Sequence, residues 1–453
     1  RARLLLEIVA AVREAIGREL ALGVRLCGDE LIDGGTTVDD AVEVARMVEE
    51  QGLTDYINTS IGVATASLFM IEASMQVPPG YALFIPSAIR KAVELPVVGV
   101  GRFKDPLQAE RALAEGHCDL VGVVRGQIAD ADFAAKARAG RAEDIRLCLS
   151  CNQECVGRMG LNRWLGCIEN PRTGREARAV SPPIAAPRRV VVVGAGPAGL
   201  QAAITAATRG HHVVVLERET LPGGQARVAA SVPSRAEFGD IIRNQVSAYR
   251  RLGIDVRYGV AADASTVLAE RPDAVVVATG AEPDRPPWVP AGADRVVDVR
   301  HVLEGRADPT GRVVVVDELG FHQATSTAER LADRGCEVAV ITPGMVVGQD
   351  LGITLDLEHW NILAAAKGIA QHTDLVPMGY DEGTLIVLHH PTGTERRLDC
   401  DWVVLAVPPR PVEALYHELA ARTGLEVHRI GDCVAPRRAH AAVIEGDRVG
   451  SLL

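Results

Sequence analysis

The sequence predicts an α/β protein with three parts in order. These are the C-terminal half of a (β/α)8 barrel, a cysteine-rich segment, and a doubly wound dinucleotide-binding domain with a second, similar subdomain inserted. Three observations predict this order. The first 147 residues alternate helical spacing with short Val/Ile/Leu runs, four closely spaced cysteines follow, and the run VVVVGAGPAGL then opens a further series of strands and helices. Continuous apolar strands separated by helices are typical of parallel sheets covered on both faces.

The amino-acid composition restricts the class of protein and the partners that are expected. The 453 residues are 47% hydrophobic and 24% charged, as in ordinary globular proteins. The formal net charge of -11 argues against nucleic acid or an anionic membrane as partner, because both would repel an acidic surface. No apolar run approaches the roughly 20 residues that span a bilayer, and no signal peptide opens the chain. We therefore expect a cytoplasmic protein.

The predicted half-barrel occupies residues 1–147. Helical spacing covers 3–17, 37–51, 86–93 and 108–115, and strand-like runs cover 22–27, 55–60, 96–101 and 119–124. Four such units make half of a (β/α)8 barrel. Because the opening RARLLLEIV begins within a helical pattern and not with Met, we expect the N-terminal half of the barrel to be missing from this sequence.

Residues 148–187 combine the cysteines with a Pro- and Arg-rich linker. Their spacing is C-x2-C-x3-C-x11-C, and three thiolates on one tight turn with a fourth from the next loop suit a [4Fe–4S] cubane. Structural zinc, which usually takes paired C-x2-C knuckles, and inert thiols are the alternatives. The remaining five cysteines fall in apolar or strand-like stretches and are expected to be free thiols. The predicted metal ligands are Cys148, Cys151, Cys155 and Cys167.

A dinucleotide-binding domain is predicted over 188–310 and 402–453. In its opening turn, Gly194 permits the tight bend, Gly196 lets the backbone approach a pyrophosphate, and Gly199 allows close packing of helix on strand. Glu217 ends the next strand, about twenty residues on, where a carboxylate holds a ribose hydroxyl. A glycine-rich turn without a ligand is the alternative.

A degenerate copy of this turn lies in the subdomain predicted over 311–401. Arg189–Glu217 and Arg312–Ile341 share a strand–turn–helix–strand plan, but Asp317, Glu318 and Leu319 stand where the second copy needs glycines. Acidic side chains there would repel a pyrophosphate. Either nicotinamide binding is lost at this turn, which we favour, or it is unusual.

Arginines mark the strand ends of the half-barrel. Arg25 lies on a strand, while Gly101-Arg102 and Arg125 follow two later strands, at the face where barrel enzymes place active sites and bind phosphates. Arg125 and the Gly101 amide are candidates for an FMN phosphate, with Arg25 beside the flavin pyrimidine. Helix–strand salt bridges are the alternative for each arginine alone.

With these residues in place, the chain resembles the iron–sulfur branch of the old yellow enzyme family. That branch includes bacterial 2,4-dienoyl-CoA reductase, trimethylamine dehydrogenase and members of mycofactocin-associated clusters. The resemblance covers nearly the whole chain and is carried, in family order, by VGVRL, PVVGVGRFKDP, DLVGVVRGQIAD, CLSCNQECVGR, CIENP, VVGAGPAGL and IGDCVAPR.

The resemblance implies an FMN barrel, a [4Fe–4S] cluster, and an FAD or ADP domain with a nicotinamide-like subdomain inserted. Carried over by position, the four clustered cysteines become cluster ligands. The implied FMN contacts are Arg25, Gly101, Arg102 and Arg125. The implied FAD or ADP contacts are Gly194, Gly196, Gly199, Glu217, Gln225 and Asp432.

Two departures from the family leave the direction of electron flow open. Ala64 stands where the dienoyl-CoA reductases place a catalytic histidine, and the turn at Asp317–Leu319 resembles that of amine dehydrogenases, whose electrons leave to another protein. The C-x2-C-x3-C spacing is reductase-like. Three functions are therefore expected: oxidation of a small substrate such as an amine, with a protein acceptor; NAD(P)H-dependent reduction of activated C=C bonds; or an electron-transfer subunit without its own substrate site. The catalytic residues are not predicted.

Overall fold

The computed structural model describes residues 2–178, 183–422 and 424–453. Residues 179–182, within the predicted linker, lie outside the described residues. The chain divides into two compact units, residues 1–150 and 151–453.

The first unit alternates helices and parallel strands, as the sequence predicts. Its elements are α1 (Arg3–Ile16), β1 (Gly23–Cys27), α2 (Val38–Gln51), β2 (Tyr56–Ser60), α3 (Leu68–Ile71), α4 (Phe84–Arg90), β3 (Val97–Gly99), α5 (Pro106–Ala114), β4 (Leu120–Val121), α6 (Arg125–Ala129) and α7 (Phe133–Arg138), with a 3-10 turn at Ala142–Asp144. The strands form one sheet in the order β1-β2-β3-β4, so neighbours in sequence are neighbours in space. Strand β4 is shorter than the predicted 119–124.

Side-chain alternation along β1 sets the two faces of this sheet. Val24 and Leu26 are buried in a core shared with α2 and α4, whereas Arg25 between them is exposed. Helix α2 begins with a capping box, in which the Thr37 hydroxyl accepts a hydrogen bond from the Asp40 amide and the Asp40 carboxylate accepts one from the Thr37 amide. The apolar face of the strands is therefore covered by helices, and the polar face carries Arg25.

The second unit contains three of the four clustered cysteines, Cys151, Cys155 and Cys167, and two further parallel sheets. Its elements up to the inserted subdomain are α8 (Val156–Gly160), β5 (Arg189–Val193), α9 (Pro197–Thr208), β6 (His212–Leu216), α10 (Gly224–Ala229), α11 (Asp240–Arg251), β7 (Asp255–Arg257), α12 (Ala264–Ala269), β8 (Ala274–Val277), β9 (Ala281–Glu282), β10 (Val296–Asp298) and α13 (Val299–Leu303). The remaining elements are β11 (Arg312–Asp317), α14 (His322–Asp333), β12 (Glu337–Ile341), α15 (Leu357–Ala366), β13 (Ala370–His372), β14 (Leu375–Asp381), β15 (Thr384–His389), β16 (Thr394–Asp399), β17 (Trp402–Ala406), β18 (Arg410–Pro411), α16 (Ala414–Ala420), β19 (Glu426–Arg429) and α17 (Ala439–Leu452). Four 3-10 turns lie at Glu176–Arg178, Pro233–Gly239, Gln349–Thr354 and Gly431–Cys433.

The two parallel sheets of this unit share one plan. Their strand orders are β19-β8-β5-β6-β7 and β10-β17-β11-β12-β13. In each sheet the central strand, β5 or β11, leads through a turn into a helix and then into its neighbouring strand. This repeat accounts for the duplication in the sequence. The second sheet takes β10 and β17 from outside residues 311–401, and β14, β15 and β16 form a separate antiparallel sheet beside it.

Helix α9 is packed tightly enough to fix the turn that precedes it. Nine of its 12 residues are buried. On α17, a Cβ at Gly446 would lie 2.4 Å from the Ala198 carbonyl oxygen, and one at Gly450 would lie 2.7 Å from that of Ala202. The glycines therefore let the two helices approach backbone to backbone. No helix within the described residues has both the length and the apolar composition needed to cross a membrane.

Candidate functional site

Arg25 lies on the polar face of the barrel-type sheet, paired with an amide. Its Nη1 donates to Oδ1 of Asn58 at 3.1 Å, and the two residues are register partners on β1 and β2. The partner is therefore a neutral side chain on the adjacent strand and not the carboxylate of a helix–strand salt bridge. Asn58 was not predicted as a site residue, although its place opposite Arg25 in a parallel register is a signal that the sequence contains.

Gly101 and Arg102 form a tight backbone corner after β3. The Gly80 amide donates to the Gly101 carbonyl at 2.7 Å, and a Cβ at Gly101 would lie 3.1 Å from the Gly80 Cα. Arg102 is buried and has a φ of 61°, in the left-handed region that few non-glycine residues adopt. Successive amides in such corners form anion-binding concavities, so this corner suits a phosphate.

The three predicted flavin-contact arginines all act electrostatically on Tyr81. Burial raises the pKa of Tyr81, and the guanidinium groups of Arg125, Arg102 and Arg25 each oppose that rise. The Tyr81 hydroxyl donates to the Met70 carbonyl. Arg125 opens α6, and its Nη1 donates to the Ala73 carbonyl at 2.8 Å. Three arginines whose charges reach the same side chain, together with the corner at Gly101–Arg102, suit the phosphate and electron-rich edge of a flavin mononucleotide.

Ala64 lies in an exposed turn that follows β2. The methyl group of Ala64 cannot donate a proton. The dienoyl-CoA reductases of the family that this chain resembles carry a histidine at this position.

The cysteine segment shows the backbone features of a thiolate site. The Ser150 amide donates to Sγ of Cys148 at 3.3 Å, and the Glu169 amide donates to Sγ of Cys167 at 3.4 Å. Cys151 is buried, and Cys155 precedes the short helix α8. Hydrogen bonds to sulfur stabilise the thiolate form that iron requires. Across the part of the chain that the structure describes, no three His, Cys, Asp or Glu side chains are arranged to hold a metal ion, so the cluster stays a prediction.

The first glycine turn has the geometry that a dinucleotide requires. Gly194 has a φ of 109°, and a Cβ there would lie 2.4 Å from the Ala278 carbonyl oxygen. A Cβ at Gly199 would lie only 2.0 Å from the Gly194 carbonyl oxygen. A Cβ built at Gly196 meets none of the neighbouring atoms within 4 Å, which leaves open space on that side of the turn. Two glycines are therefore required by packing and the third faces open space, as expected for pyrophosphate approach.

Two hydrogen bonds fix the polar residues predicted around this turn, one to the backbone and one between side chains. Oε2 of Glu217 accepts from the Ala195 amide at 2.6 Å, which fixes the carboxylate at the end of β6. Nε2 of Gln225 donates to Oδ2 of Asp432 at 2.9 Å. Burial raises the pKa of Asp432, and Arg300, not predicted as a site residue, opposes the rise. These groups suit the ribose and phosphate parts of FAD or ADP.

The second turn is filled by one of its own side chains. Asp317 is fully buried, and its carboxylate accepts from the Gly320 amide at 2.8 Å and from the Gly348 amide at 2.9 Å. Burial raises the pKa of Asp317. The carboxylate thus occupies the Gly320 amide at the end of the turn, where a dinucleotide-binding domain would present donors to a phosphate, together with the Gly348 amide from a distant loop.

Comparison with known proteins decides the family. Residues 1–144 match the NADH:flavin oxidoreductase / NADH oxidase family, and residues 188–446 match the pyridine nucleotide-disulphide oxidoreductase family. An N,N-dimethylglycine/sarcosine dehydrogenase from Chromohalobacter salexigens is 32% identical over 99% of this chain and 71% of its own length. The chain belongs to the NADH:flavin oxidoreductase family. The resemblance to old yellow enzyme relatives is confirmed.

Two further relatives show the range of this oxidoreductase family. An NADH oxidase from Thermoanaerobacter brockii is 34% identical over 99% of this chain and 69% of its own length. The structure of histamine dehydrogenase from Rhizobium sp. 4-9 matches with a TM-score of 0.93 at 25% identity, covering 100% of this chain and 68% of that one. The predicted α/β class, with a barrel-type domain followed by a nucleotide-binding domain, is confirmed. This flavin oxidoreductase therefore has both amine dehydrogenases and NADH-consuming enzymes among its relatives.

A buried histidine in this NADH:flavin oxidoreductase leads to a prediction on acid stability. Burial, assisted by the charge of Arg235, lowers the pKa of His322 to about 4. The folded state thus binds fewer protons than the unfolded chain between pH 6.5 and about 4, and stability is lost as the pH falls through that window. The loss approaches about 3 kcal/mol. Replacing His322 by Gln is expected to flatten the dependence of the urea midpoint on pH between 4 and 7.

The exposed His417 provides the control for this measurement. It lies on the surface of α16, 3.6 Å from Glu413. His417→Gln is expected to preserve the slope of the wild-type profile. An equal slope in the His322→Gln variant would show that folding does not lower the pKa of His322.

Proposed function

We propose that this chain is an iron–sulfur flavoprotein oxidoreductase that oxidises a small substrate such as an amine. In this proposal electrons pass between FMN, a [4Fe–4S] cluster and a second nucleotide or flavin site, and leave to an electron-acceptor protein. The observation that carries the proposal is the Asp317 carboxylate in the second nucleotide-binding turn.

The filled turn argues against a nicotinamide dinucleotide as electron donor. A pyrophosphate entering this turn would meet the Asp317 carboxylate, which already accepts hydrogen bonds from the Gly320 and Gly348 amides. Leu319 also adds a side chain at a position where the nucleotide-binding turn needs a glycine so that the backbone can approach the pyrophosphate. Both effects oppose binding, since like charges repel at short range and the amide donors are already used. The substrate that supplies electrons is therefore expected at the barrel, not at the second subdomain.

Relatives support an amine as that substrate. The dehydrogenase from Chromohalobacter salexigens acts, by its name, on N,N-dimethylglycine and sarcosine, and the Rhizobium structure is a histamine dehydrogenase. Ala64 is consistent with oxidation, because reduction of a polarised C=C bond needs a proton donor that alanine cannot supply.

The residues of this chain would hold the cofactors as follows. Bound flavin and iron–sulfur groups supply hydride acceptance and one-electron transfer, chemistry that side chains alone lack. Arg125 and the corner at Gly101–Arg102 would bind the FMN phosphate, and Arg25, held by Asn58, would face the pyrimidine edge. The turn at Gly194–Gly199 with Glu217 would hold the FAD or ADP of the second site.

Anaerobic reduction with competing donors tests this proposal. Purified protein is titrated with NADH, NADPH, sarcosine, dimethylamine and histamine while flavin and cluster absorbance are recorded together. At least one amine is expected to bleach the flavin stoichiometrically, whereas neither nicotinamide nucleotide does so at turnover rates. Rapid stoichiometric bleaching by NADH or NADPH would overturn the proposal. Mass analysis of the extracted nucleotides distinguishes FAD from ADP at the second site.

NAD(P)H-dependent reduction of activated C=C bonds is the second candidate. It is favoured by the relationship to the Thermoanaerobacter NADH oxidase and by the C-x2-C-x3-C spacing. NADPH-driven consumption of an enone by the purified protein would establish it. A third possibility, an electron-transfer subunit without a substrate site, predicts that extraction yields FAD or ADP but no FMN.

A further inference from the structure

One 3-10 turn in the second unit is contacted by three parts of the chain that are far apart in sequence. We define this junction turn as Gln349–Thr354, which lies between β12 and α15 of the inserted subdomain. Leu351 and Thr354 within it are buried. None of its residues was predicted as a functional residue. Its contacts connect the degenerate glycine turn to the cysteine segment.

The degenerate glycine turn holds the start of the junction turn. The Asp317 carboxylate accepts from the Gly348 amide at 2.9 Å and from the Gly320 amide at 2.8 Å. The Gly320 carbonyl accepts in turn from the Asp350 amide at 2.8 Å. Gly348 has a φ of 67°, in the left-handed region that glycine adopts most easily. The chain therefore bends sharply at the point where the buried carboxylate binds it.

The far end of the junction turn holds the loop between the second and third clustered cysteines. Nδ2 of Asn152 donates to the Thr354 carbonyl at 3.2 Å, and both residues are buried. A Cβ at Gly157 of α8 would lie 2.7 Å from Cγ2 of Ile353 and 3.2 Å from its carbonyl oxygen. The glycine thus lets α8 approach the junction turn closely, and the cysteine loop packs directly on that turn.

The first nucleotide-binding domain holds the middle of the junction turn. Arg438, the residue before α17, forms an ion pair with the Asp350 carboxylate. The guanidinium carbon of Arg438 also lies 4.1 Å from the centre of the Phe321 ring. Elsewhere the Ser234 hydroxyl donates to Oε2 of Glu329 at 2.6 Å and joins the same two nucleotide-binding parts. These contacts fix the inserted subdomain against its neighbours in the second unit.

The bonds of Asp317 are of the kind that a protein normally offers to a ligand. Backbone amides that converge on one point form an anion site, and here the anion belongs to the chain itself. An ionised acceptor in a dry interior makes stronger hydrogen bonds than a neutral one. Without the carboxylate, the Gly320 and Gly348 amides would lose the acceptor that holds them together. The Asp317 carboxylate therefore takes the place of a bound phosphate and cannot dissociate.

We propose that Asp317 is a built-in anion that fixes the junction turn and, through it, the loop between the second and third clustered cysteines. The inserted subdomain then serves as a permanent support for the cysteine segment. This inference goes beyond the proposed function, because its contacts lie within the chain and need neither a bound nucleotide nor bound iron. Asp317 acts through the junction turn, so it is a positioning residue and not a ligand.

Chemical rescue of an Asp317→Ala variant tests this assignment. Alanine keeps the Cβ and removes the carboxylate, which formate can replace as a free anion at pH 8. Hydrogen–deuterium exchange of the purified protein is followed by mass spectrometry over peptides covering 151–157 and 349–354. Exchange in both is expected to rise about tenfold or more, because two hydrogen bonds to a charged group are lost. Formate is expected to return both rates toward wild type, whereas chloride at equal ionic strength is not.

Two further variants make the result specific to Asp317. Asp317→Asn keeps the shape of the side chain and one acceptor oxygen, so a smaller rise is expected, and it serves if the alanine variant does not fold. Asp401→Ala is the matched control, because Oδ2 of Asp401 accepts from the Arg312 amide at 2.7 Å at the opposite end of β11. This variant is expected to leave exchange over 151–157 unchanged.

The outcomes distinguish a local role from a general loss of stability. Increased exchange confined to the two peptides and reversed by formate supports the built-in anion. Equal exchange over 151–157 in wild type, Asp317→Ala and Asp317→Asn would overturn it. A rise that formate does not reverse, or that spreads evenly over the second unit, would overturn it as well. Wild-type protein that holds no iron would instead overturn the cluster of the proposed function and leave this exchange test unaffected.

Discussion

Replacing Gly199 by alanine is expected to destabilise strongly the dinucleotide-binding part of the second unit. The added methyl carbon would lie 2.0 Å from the Gly194 carbonyl oxygen, a backbone atom that cannot rotate away. Helix α9 cannot shift to make room, because Gly446 and Gly450 of α17 already hold the helices in backbone contact. We expect a loss of about 3 kcal/mol or more in the free energy of unfolding. Thermal unfolding and the amount of nucleotide released on denaturation measure it.

Gly196→Ala is the matched control in the same turn. Gly196 has an ordinary φ of -77°, and a Cβ there meets no protein atom within 4 Å. Stability is therefore expected to stay near wild type, while FAD or ADP is bound less tightly because the methyl group projects toward the incoming pyrophosphate. If Gly196→Ala retained its full nucleotide content, the ligand would have to bind elsewhere. If Gly199→Ala unfolded at the same temperature as the wild type, the close contact between α9 and the turn that precedes it would be wrong.

The sequence alone predicts those elements that depend on one continuous stretch of the chain. Strands β1 to β4 and the turn at Gly194–Gly199 follow from local apolar runs and glycine spacing, and so does the replacement of the second turn's glycines by Asp317, Glu318 and Leu319. Local sequence patterns do not show which group forms a hydrogen bond with each polar side chain. The Asp317 carboxylate is bound by Gly348, which is 31 residues away in the chain. No periodicity predicts that contact.

Convergence over long sequence distances explains why the buried pair formed by His322 and Asp356 was not predicted. His322 begins α14 and Asp356 follows the 3-10 turn Gln349–Thr354, and only the packed second unit brings Nε2 of His322 to 3.2 Å from Oδ2 of Asp356. Arg235 lies in a short polar stretch that resembles an exposed loop in sequence, yet it is almost fully buried. Asn58 differs, because its position opposite Arg25 follows from aligning two neighbouring parallel strands. Register within a sheet is accessible from sequence, whereas convergence of distant loops is not.

Replacing Cys151 by serine is expected to remove the iron and interrupt electron transfer beyond the flavin. A serine oxygen is a poor ligand for the iron of a cubane, so iron should fall from about four atoms per chain to a small fraction of that. The flavin should still be bleached by the amine substrate. Its reoxidation by a one-electron acceptor such as ferrocenium should slow on the order of 100-fold or more. Iron and sulfide analysis and stopped-flow absorbance give the two measurements.

Cys336→Ser separates loss of a ligand from loss of any thiol. Cys336 is a partly buried free cysteine whose Sγ donates to the Pro309 carbonyl at 3.3 Å, a bond that serine can also make. This variant is expected to keep its iron and its reoxidation rate. Equal iron in Cys151→Ser and Cys336→Ser would exclude Cys151 as a ligand, and zinc without iron in the wild type would favour a structural site. Cys151→Ser that lost both iron and the flavin signal would instead show that the cysteine segment is required for folding. Only loss of iron with retained bleaching places the cluster between the substrate and the acceptor.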